Sequence, residues 1–230
     1  MEMSDPKTSA TVVIAIDGPA ASGKSTVARA LAGHLGYRFL NSGDLYRAMT
    51  WACLRRKIDC HDIGAVASAA GQTQIEVGCD GNEYFPLIDS EDPRAHLRKE
   101  QVNANVSPVS AVPAVRYIVS AAIRAHATGR QTVIEGRDIG SAVFAETPYK
   151  FYIDAPAHVR QRRRRNQGQT EEIARRDLID STRKTDPLTV APGATVIDSS
   201  ALDVAGVVAA MLAKLREQGL AAYVPPCSKE

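Results

Sequence analysis

Cysteine is scarce and poorly spaced for chemistry: Cys53, Cys60, Cys79 and Cys227 form no C-x-x-C pair, and only His61, beside Cys60, offers a neighbouring imidazole. A zinc cluster and a disulfide framework are both disfavoured, and the four read as reduced, mostly structural thiols. Long apolar runs are missing: none approaches the roughly 18 residues a membrane helix needs, and no basic-then-apolar leader precedes the first apolar segment. Cytoplasmic residence with no membrane partner is therefore expected. An excess of one charge is missing too, since 28 Lys and Arg against 26 Asp and Glu leave a net +2, too little by itself to imply a nucleic-acid partner. There is no N-K-x-D guanine-reading motif and no D-x-x-G at the place a GTP switch would need it, and neither an internal repeat nor a low-complexity block appears. What is left, 44% hydrophobic and 23% charged over 230 residues, describes one globular domain spanning residues 1–230 with small insertions. The polar first ten residues and the tail after Tyr223 are expected to fray.

Against these absences stands one strong presence. Gly18-Pro19-Ala20-Ala21-Ser22-Gly23-Lys24-Ser25, continued by Thr26, fits the phosphate-binding signature G-x-x-x-x-G-K-[ST]. Glycines let the backbone curl so that its N–H groups face phosphate oxygens, the lysine reaches the β and γ oxygens, and the hydroxyl of Ser25 can ligate Mg²⁺. Context supports the match. Thr11–Ile16 is an apolar, β-branched run of buried-strand length, and Thr26–Leu35 carries apolar residues at helical spacing before Gly36. A Gly/Ser turn that binds nothing would need none of these in register.

Further along, Phe39-Leu40-Asn41 reads as a short strand, and Ser42-Gly43-Asp44 opens a helix that carries Tyr46 and Arg47 in its first turns. There Arg47 suits a phosphate monoester or is simply a surface residue. Gln74–Val77 and Glu83–Leu87 flank the turn Cys79-Asp80-Gly81-Asn82, which predicts a β hairpin inserted into an alternating α/β chain. Helices are predicted over 95–105 and 113–128, with Ser107-Pro108 between them. Gln131–Ile134 is another buried-strand pattern that runs into Glu135-Gly136-Arg137-Asp138, where Arg137 and Asp138 are either ligand groups or a pair tying loop to loop. After the strand Lys150–Ile153, the run Arg160–Arg165 holds five arginines. It can be a phosphoryl-charge clamp, a solvated helix face or a nucleic-acid patch; its place after the C-terminal end of a strand favours the clamp. Arg176, Asp180 and Arg183 share one helix face, as site residues or as an ion-pair ladder. Thr195–Ile197 predicts a last strand, with Asp198-Ser199-Ser200 capping a final helix to Gln218.

Together these segments resemble the bacterial cytidylate kinase family, P-loop nucleoside monophosphate kinases. The resemblance runs from about Val13 to about Leu215 and is carried by Ile16-Asp17-Gly18-Pro19 with the P-loop, Asn41–Arg47, Ser107 with Arg116, Glu135–Gly140, Arg176-Asp177, Asp180–Arg183, Asp186-Pro187-Leu188 and Ile197–Ser200. It implies a P-loop kinase α/β fold: a central five-stranded parallel sheet flanked by helices, a small β insertion and a short helical lid. It further implies a core of 11–40, 113–158 and 187–220, a monophosphate-binding region 41–112 with its insertion at about 72–90, and a lid at 159–183.

Carried over residue by residue, the resemblance implies ATP on Gly18–Thr26 with Arg163 against adenine, and CMP or dCMP as acceptor. Ser42, Tyr46, Arg47, Arg137 and Arg183 would seat its phosphate, Ser107, Arg116 and Asp138 would read cytosine, and Asp180 would hold the ribose. Lys24, Arg137, Arg176 and Arg183 would be catalytic through charge, joined by Arg163, with Mg²⁺ bound directly by Ser25 and through water by Glu135. The expected partners are ATP and CMP or dCMP only, with no nucleic acid, on a monomer. Residues 154–177 are short for such a lid, predicting a reduced helix–turn–helix around Asn166–Gln169. Asn41 stands where many relatives carry Asp, and Ile179 where another arginine is common. Three other readings compete: a small-metabolite kinase of the shikimate or gluconate type, a GTP switch or nucleic-acid-binding NTPase, and a non-catalytic nucleotide sensor.

Overall fold

The computed structural model describes residues 11–166 and 173–220, with the side chains of Ile173 and Arg176 outside that description. The ends expected to fray, Cys227 and residues 167–169 of the expected turn lie outside it as well. The strands are β1 (Val12–Asp17), β2 (Arg38–Asn41), β3 (Ile75–Asp80), β4 (Glu83–Ile88), β5 (Gln131–Gly136), β6 (Lys150–Asp154) and β7 (Thr195–Asp198). The helices are α1 (Lys24–Leu35), α2 (Ser42–Arg55), α3 (Ile63–Gly71), α4 (Glu100–Ser110), α5 (Pro113–Ala127), α6 (Ala157–Asn166), α7 (Ile173–Thr182) and α8 (Val204–Glu217).

Strands pair in the order β3-β4-β2-β5-β1-β6-β7. Five of them, β2-β5-β1-β6-β7, form the expected parallel sheet. The hairpin does not stand apart from it. β4 pairs parallel with β2 through Phe39–Glu83 and Leu40–Tyr84, and β3 pairs antiparallel with β4, so the sheet has seven strands rather than five. The reason lies in β2, whose outer edge would otherwise leave its N–H and C=O groups open.

Alternation along the strands divides two cores. Val13, Ala15, Leu40 and Ile134 face one cluster with residues of α2 to α5, while Ile14, Ile16, Phe39 and Val133 face another with residues of α1 and α8, as side chains pointing to opposite faces require. Between β5 and β1 the chain switches its direction of winding, and there the strands' C-terminal ends open a crevice.

Several boundaries differ from expectation. The helix predicted from residue 95 starts at Glu100, because Lys99 is extended (ψ 146°) and the ladder opens with Asn103 N–H to Lys99 O, 3.0 Å. It runs through Pro108, so Ser107 and Pro108 end α4 instead of linking two helices. The final helix is capped by Asp203, whose carboxylate accepts from Gly206 N–H (2.8 Å), and not by Asp198–Ser200. Two elements had no forecast: α3, and a π-helical turn at Ile139–Val143. Among the described residues no single helix is long and apolar enough to cross a membrane; α4 and α5 reach that composition only as a pair bent by 99°.

Candidate active site

One cavity of about 610 Å³ lies along the C-terminal ends of β1, β2 and β5. Its floor is the P-loop. Gly18 has φ +152° and Gly23, the N-cap of α1, has φ +91°, a region L side chains rarely adopt, so glycine lets the loop turn its amides inward. Lys24 is buried and donates from Nζ to Pro19 O at 2.9 Å. Ser25 Oγ donates to Glu135 Oε1 at 2.6 Å.

The wall opposite comes from α2, α4 and the end of β5, with Ser42, Tyr46, Arg47, Ser107, Arg137 and Asp138 lining the cavity. Arg47 reaches Gly43 O (3.0 Å) and Asn103 Oδ1 (3.3 Å) and forms an ion pair with Asp44. Burial raises the pKa of Asp44, against the pull of Arg98 and Arg47. Arg137 Nε donates to Asp180 Oδ2 at 2.9 Å, so the residue expected at the ribose holds the arginine expected at the acceptor phosphate.

Asp138 is 3% exposed. One oxygen accepts from Arg183 at 3.1 Å and the other pairs with Arg116. Burial raises its pKa, while the two guanidiniums oppose that shift. Arg116, 1% exposed, does not line the cavity: it stands behind Asp138, over the Tyr46 ring (5.5 Å to the centroid), and also donates to Asp186 Oδ2 (2.9 Å) and Ser110 O (3.3 Å). Burial likewise pushes the Tyr46 hydroxyl up to about 12.

The side where a lid is expected is built on α6 and α7. Arg163 donates to Ser22 O (3.2 Å) and to Ser199 O (2.6 Å), lying over the P-loop at the cavity edge. Leu202, Val204 and Val207 add apolar lining at that end. Arg160 pairs with Asp177, which accepts from Ala20 N–H at 3.0 Å. The side chain of Arg176 lies outside the described residues.

Among the described residues no group of three or more His, Cys, Asp or Glu could hold a metal. The Ser25 and Glu135 oxygens are hard donors and few in number. That set fits Mg²⁺, which takes one or two protein oxygens and completes its shell with phosphates and water.

Sequence reasoning missed Asp17, Asp177 and Asp186 as working residues, although each stood in a motif. The signal for Asp17 was an acid closing an otherwise apolar strand. Its carboxylate, 2% exposed, accepts from Ile139 N–H (2.8 Å) and Gly140 N–H (2.7 Å) and fixes the turn that presents Asp138.

A parallel sheet with strand, P-loop and helix at its switch point, facing a wall of arginines across one cavity, defines a P-loop kinase. The particular family follows from sequence. The family model for cytidylate kinase matches residues 14–217, and the chain belongs to that family. Curated relatives named cytidylate kinase include one from Mycobacterium avium (strain 104), 42% identical with 87% of this chain and 93% of that one covered. Another, from Caldanaerobacter subterraneus, is 41% identical with 84% and 89% covered. A gluconokinase structure from Sinorhizobium meliloti 1021 aligns at 16% identity with a TM-score of 0.46, covering 91% of this chain and 96% of that one, a likeness too loose to argue from.

Proposed function

We propose that this protein transfers the γ-phosphoryl group of ATP to CMP or dCMP, giving ADP and CDP or dCDP, with Mg²⁺ on the donor phosphates. The observation that carries the reading is the buried Asp138 carboxylate, held by Arg116 and Arg183 in the same cavity as the P-loop. An ionised carboxylate only accepts hydrogen bonds. The N4-amino group of cytosine can donate to it, whereas uracil presents an acceptor there and is repelled.

Phosphoryl transfer asks for alignment and charge neutralisation more than covalent chemistry. The acceptor is already an ionised phosphate oxygen, so no general base is assigned. On binding, Lys24 leaves the Pro19 carbonyl for the phosphates, and Arg47 with Ser42 and Tyr46 seats the CMP phosphate. Arg137, Arg176 and Arg183 spread the developing charge between the two nucleotides. Ser25, with Glu135 through water, would hold Mg²⁺, which would offset the charge of the donor phosphates. Arg163 with Leu202 and Val204 forms the adenine seat, Asp180 turns from Arg137 to the ribose, and Ser107 supports the base. The lid 159–183 excludes water so that ATP is not hydrolysed, residues 41–112 bind the monophosphate, and 11–40, 113–158 and 187–220 form the core. The protein acts as a cytoplasmic monomer without nucleic-acid or membrane partners.

A coupled ADP-release assay with ATP and Mg²⁺ tests this against CMP, dCMP, UMP, AMP, GMP and shikimate, with a no-acceptor control. Strong release with CMP and dCMP is expected, lost in Lys24→Ala. Silence with every nucleotide, or transfer surviving in Lys24→Ala, refutes the reading.

A further inference from the structure

Asp186 lies four residues beyond α7 and outside the cavity lining, yet it touches both arginines that hold Asp138. Its carboxylate Oδ2 accepts from Arg116 Nε at 2.9 Å, and its backbone carbonyl accepts from Arg183 Nε at 2.7 Å. Arg116 continues to one oxygen of Asp138, and Arg183 to the other. These contacts form a closed ring, Asp186–Arg116–Asp138–Arg183–Asp186, with two positive and two negative side chains. Asp186 also has φ +46°, a conformation that non-glycine residues seldom hold, and Pro187 follows it. A residue kept there by surrounding contacts is often kept for what its side chain does.

We propose that Asp186 is a specificity-determining positioning residue: by closing this ring it fixes the direction of the Asp138 carboxylate, and so the preference for cytosine over uracil. The inference rests on the CMP reading of the same site. Its physical basis is rejection as much as attraction. A carboxylate held from both sides cannot rotate away from an incoming uracil carbonyl, so the acceptor–acceptor clash is enforced. With Arg116 held by Ser110 O, Asp138 and the Tyr46 ring but no longer by Asp186, the pair can pivot, cytosine is held less well, and uracil meets less opposition.

Asp186→Asn isolates the carboxylate. Asn tolerates positive φ better than most residues, it keeps the backbone carbonyl for Arg183, and the side chain at 186 is 35% exposed, so folding is expected to survive. Asp186→Gly removes the side chain while easing the backbone, a second route to the same loss. Both variants are expected to raise KM for CMP about fivefold, in line with a partly exposed charged hydrogen bond, to narrow the CMP-to-UMP ratio of kcat/KM, and to leave KM for ATP unchanged. Wild-type kinetics in Asp186→Asn overturns the proposal. So does an equal loss toward CMP and ATP with a lowered Tm, which would make 186 a structural turn. If the wild-type protein phosphorylates neither CMP nor UMP, the underlying reading fails first; an active wild type with an indifferent Asp186→Asn sinks the ring alone.

Discussion

Asp17 is the residue on which the two halves of the site meet. It ends β1, precedes the first glycine of the P-loop, and holds the π-helical turn that follows Asp138 through two backbone N–H bonds. Burial pushes its pKa from 3.8 to about 7, with Asp138 adding to the rise and the two N–H bonds and Lys24 opposing it. Between those values the folded protein keeps a proton that the unfolded chain releases. The contribution of Asp17 to stability therefore falls as pH rises through that window, and the full cost of the buried charge is present above about 7. Asn carries no such titration. The Tm of wild type relative to Asp17→Asn is thus expected to fall from about pH 5 to about pH 8 and level off above it. A difference that stays flat across the range means the group does not titrate there.

Elements carry constraints that no single contact does, and the P-loop shows how narrow they are. A Cβ on Gly18 would collide with the carbonyl oxygen of Ile153 in β6, and that obstacle is backbone, which cannot swing aside. With φ at +152° strained for any L residue, Gly18→Ala is expected to cost at least about 2 kcal/mol and to abolish transfer. Gly33, in the exposed last turn of α1 with nothing within 4 Å of an added Cβ, makes the matched control. Gly33→Ala is expected to stabilise by about 0.5 kcal/mol through helix propensity, less than in a helix interior because it lies in the last turn, so melts of the two variants should move in opposite directions. The same contrast explains what the chain discloses in advance. The five strands of the parallel sheet are legible one by one because runs such as Val133-Ile134 have the length and apolarity of buried strands, while their parallel assembly is what the family resemblance implies. The docking of β4 on β2 is not legible, since the half-buried pattern of the hairpin names no partner. Arg116, Arg137 and Arg183 could be picked out singly as site residues, but their pairing with Asp186, Asp180 and Asp138 spans 70, 43 and 45 residues of chain. Local pattern contains nothing about such distances.

At the scale of the whole molecule, the question is whether two cores make two folding units. They share their wall. Each central strand sends alternate residues into both clusters, Val13 and Ala15 to one, Ile14 and Ile16 to the other, so stripping the helices from one face uncovers the strands that support the other. One cooperative transition follows. Trp51, the single tryptophan, lies on α2 in the cluster shared with α3 to α5 and stacks on His96 at 5.5 Å, and so reports on that face of the sheet, whereas far-UV circular dichroism reports on both. Thermal midpoints from the two probes are expected to coincide. CMP at about a hundred times its Kd adds about 2.7 kcal/mol, which at about 2 to 4 °C per kcal/mol for a chain of this size moves both midpoints upward together. Should Trp51 fluorescence melt first, or should CMP shift it alone, residues 41–112 would be a separate unit, and the chain of contacts from Asp186 through Asp138 to Asp17 would not be enough to bind them to the P-loop half.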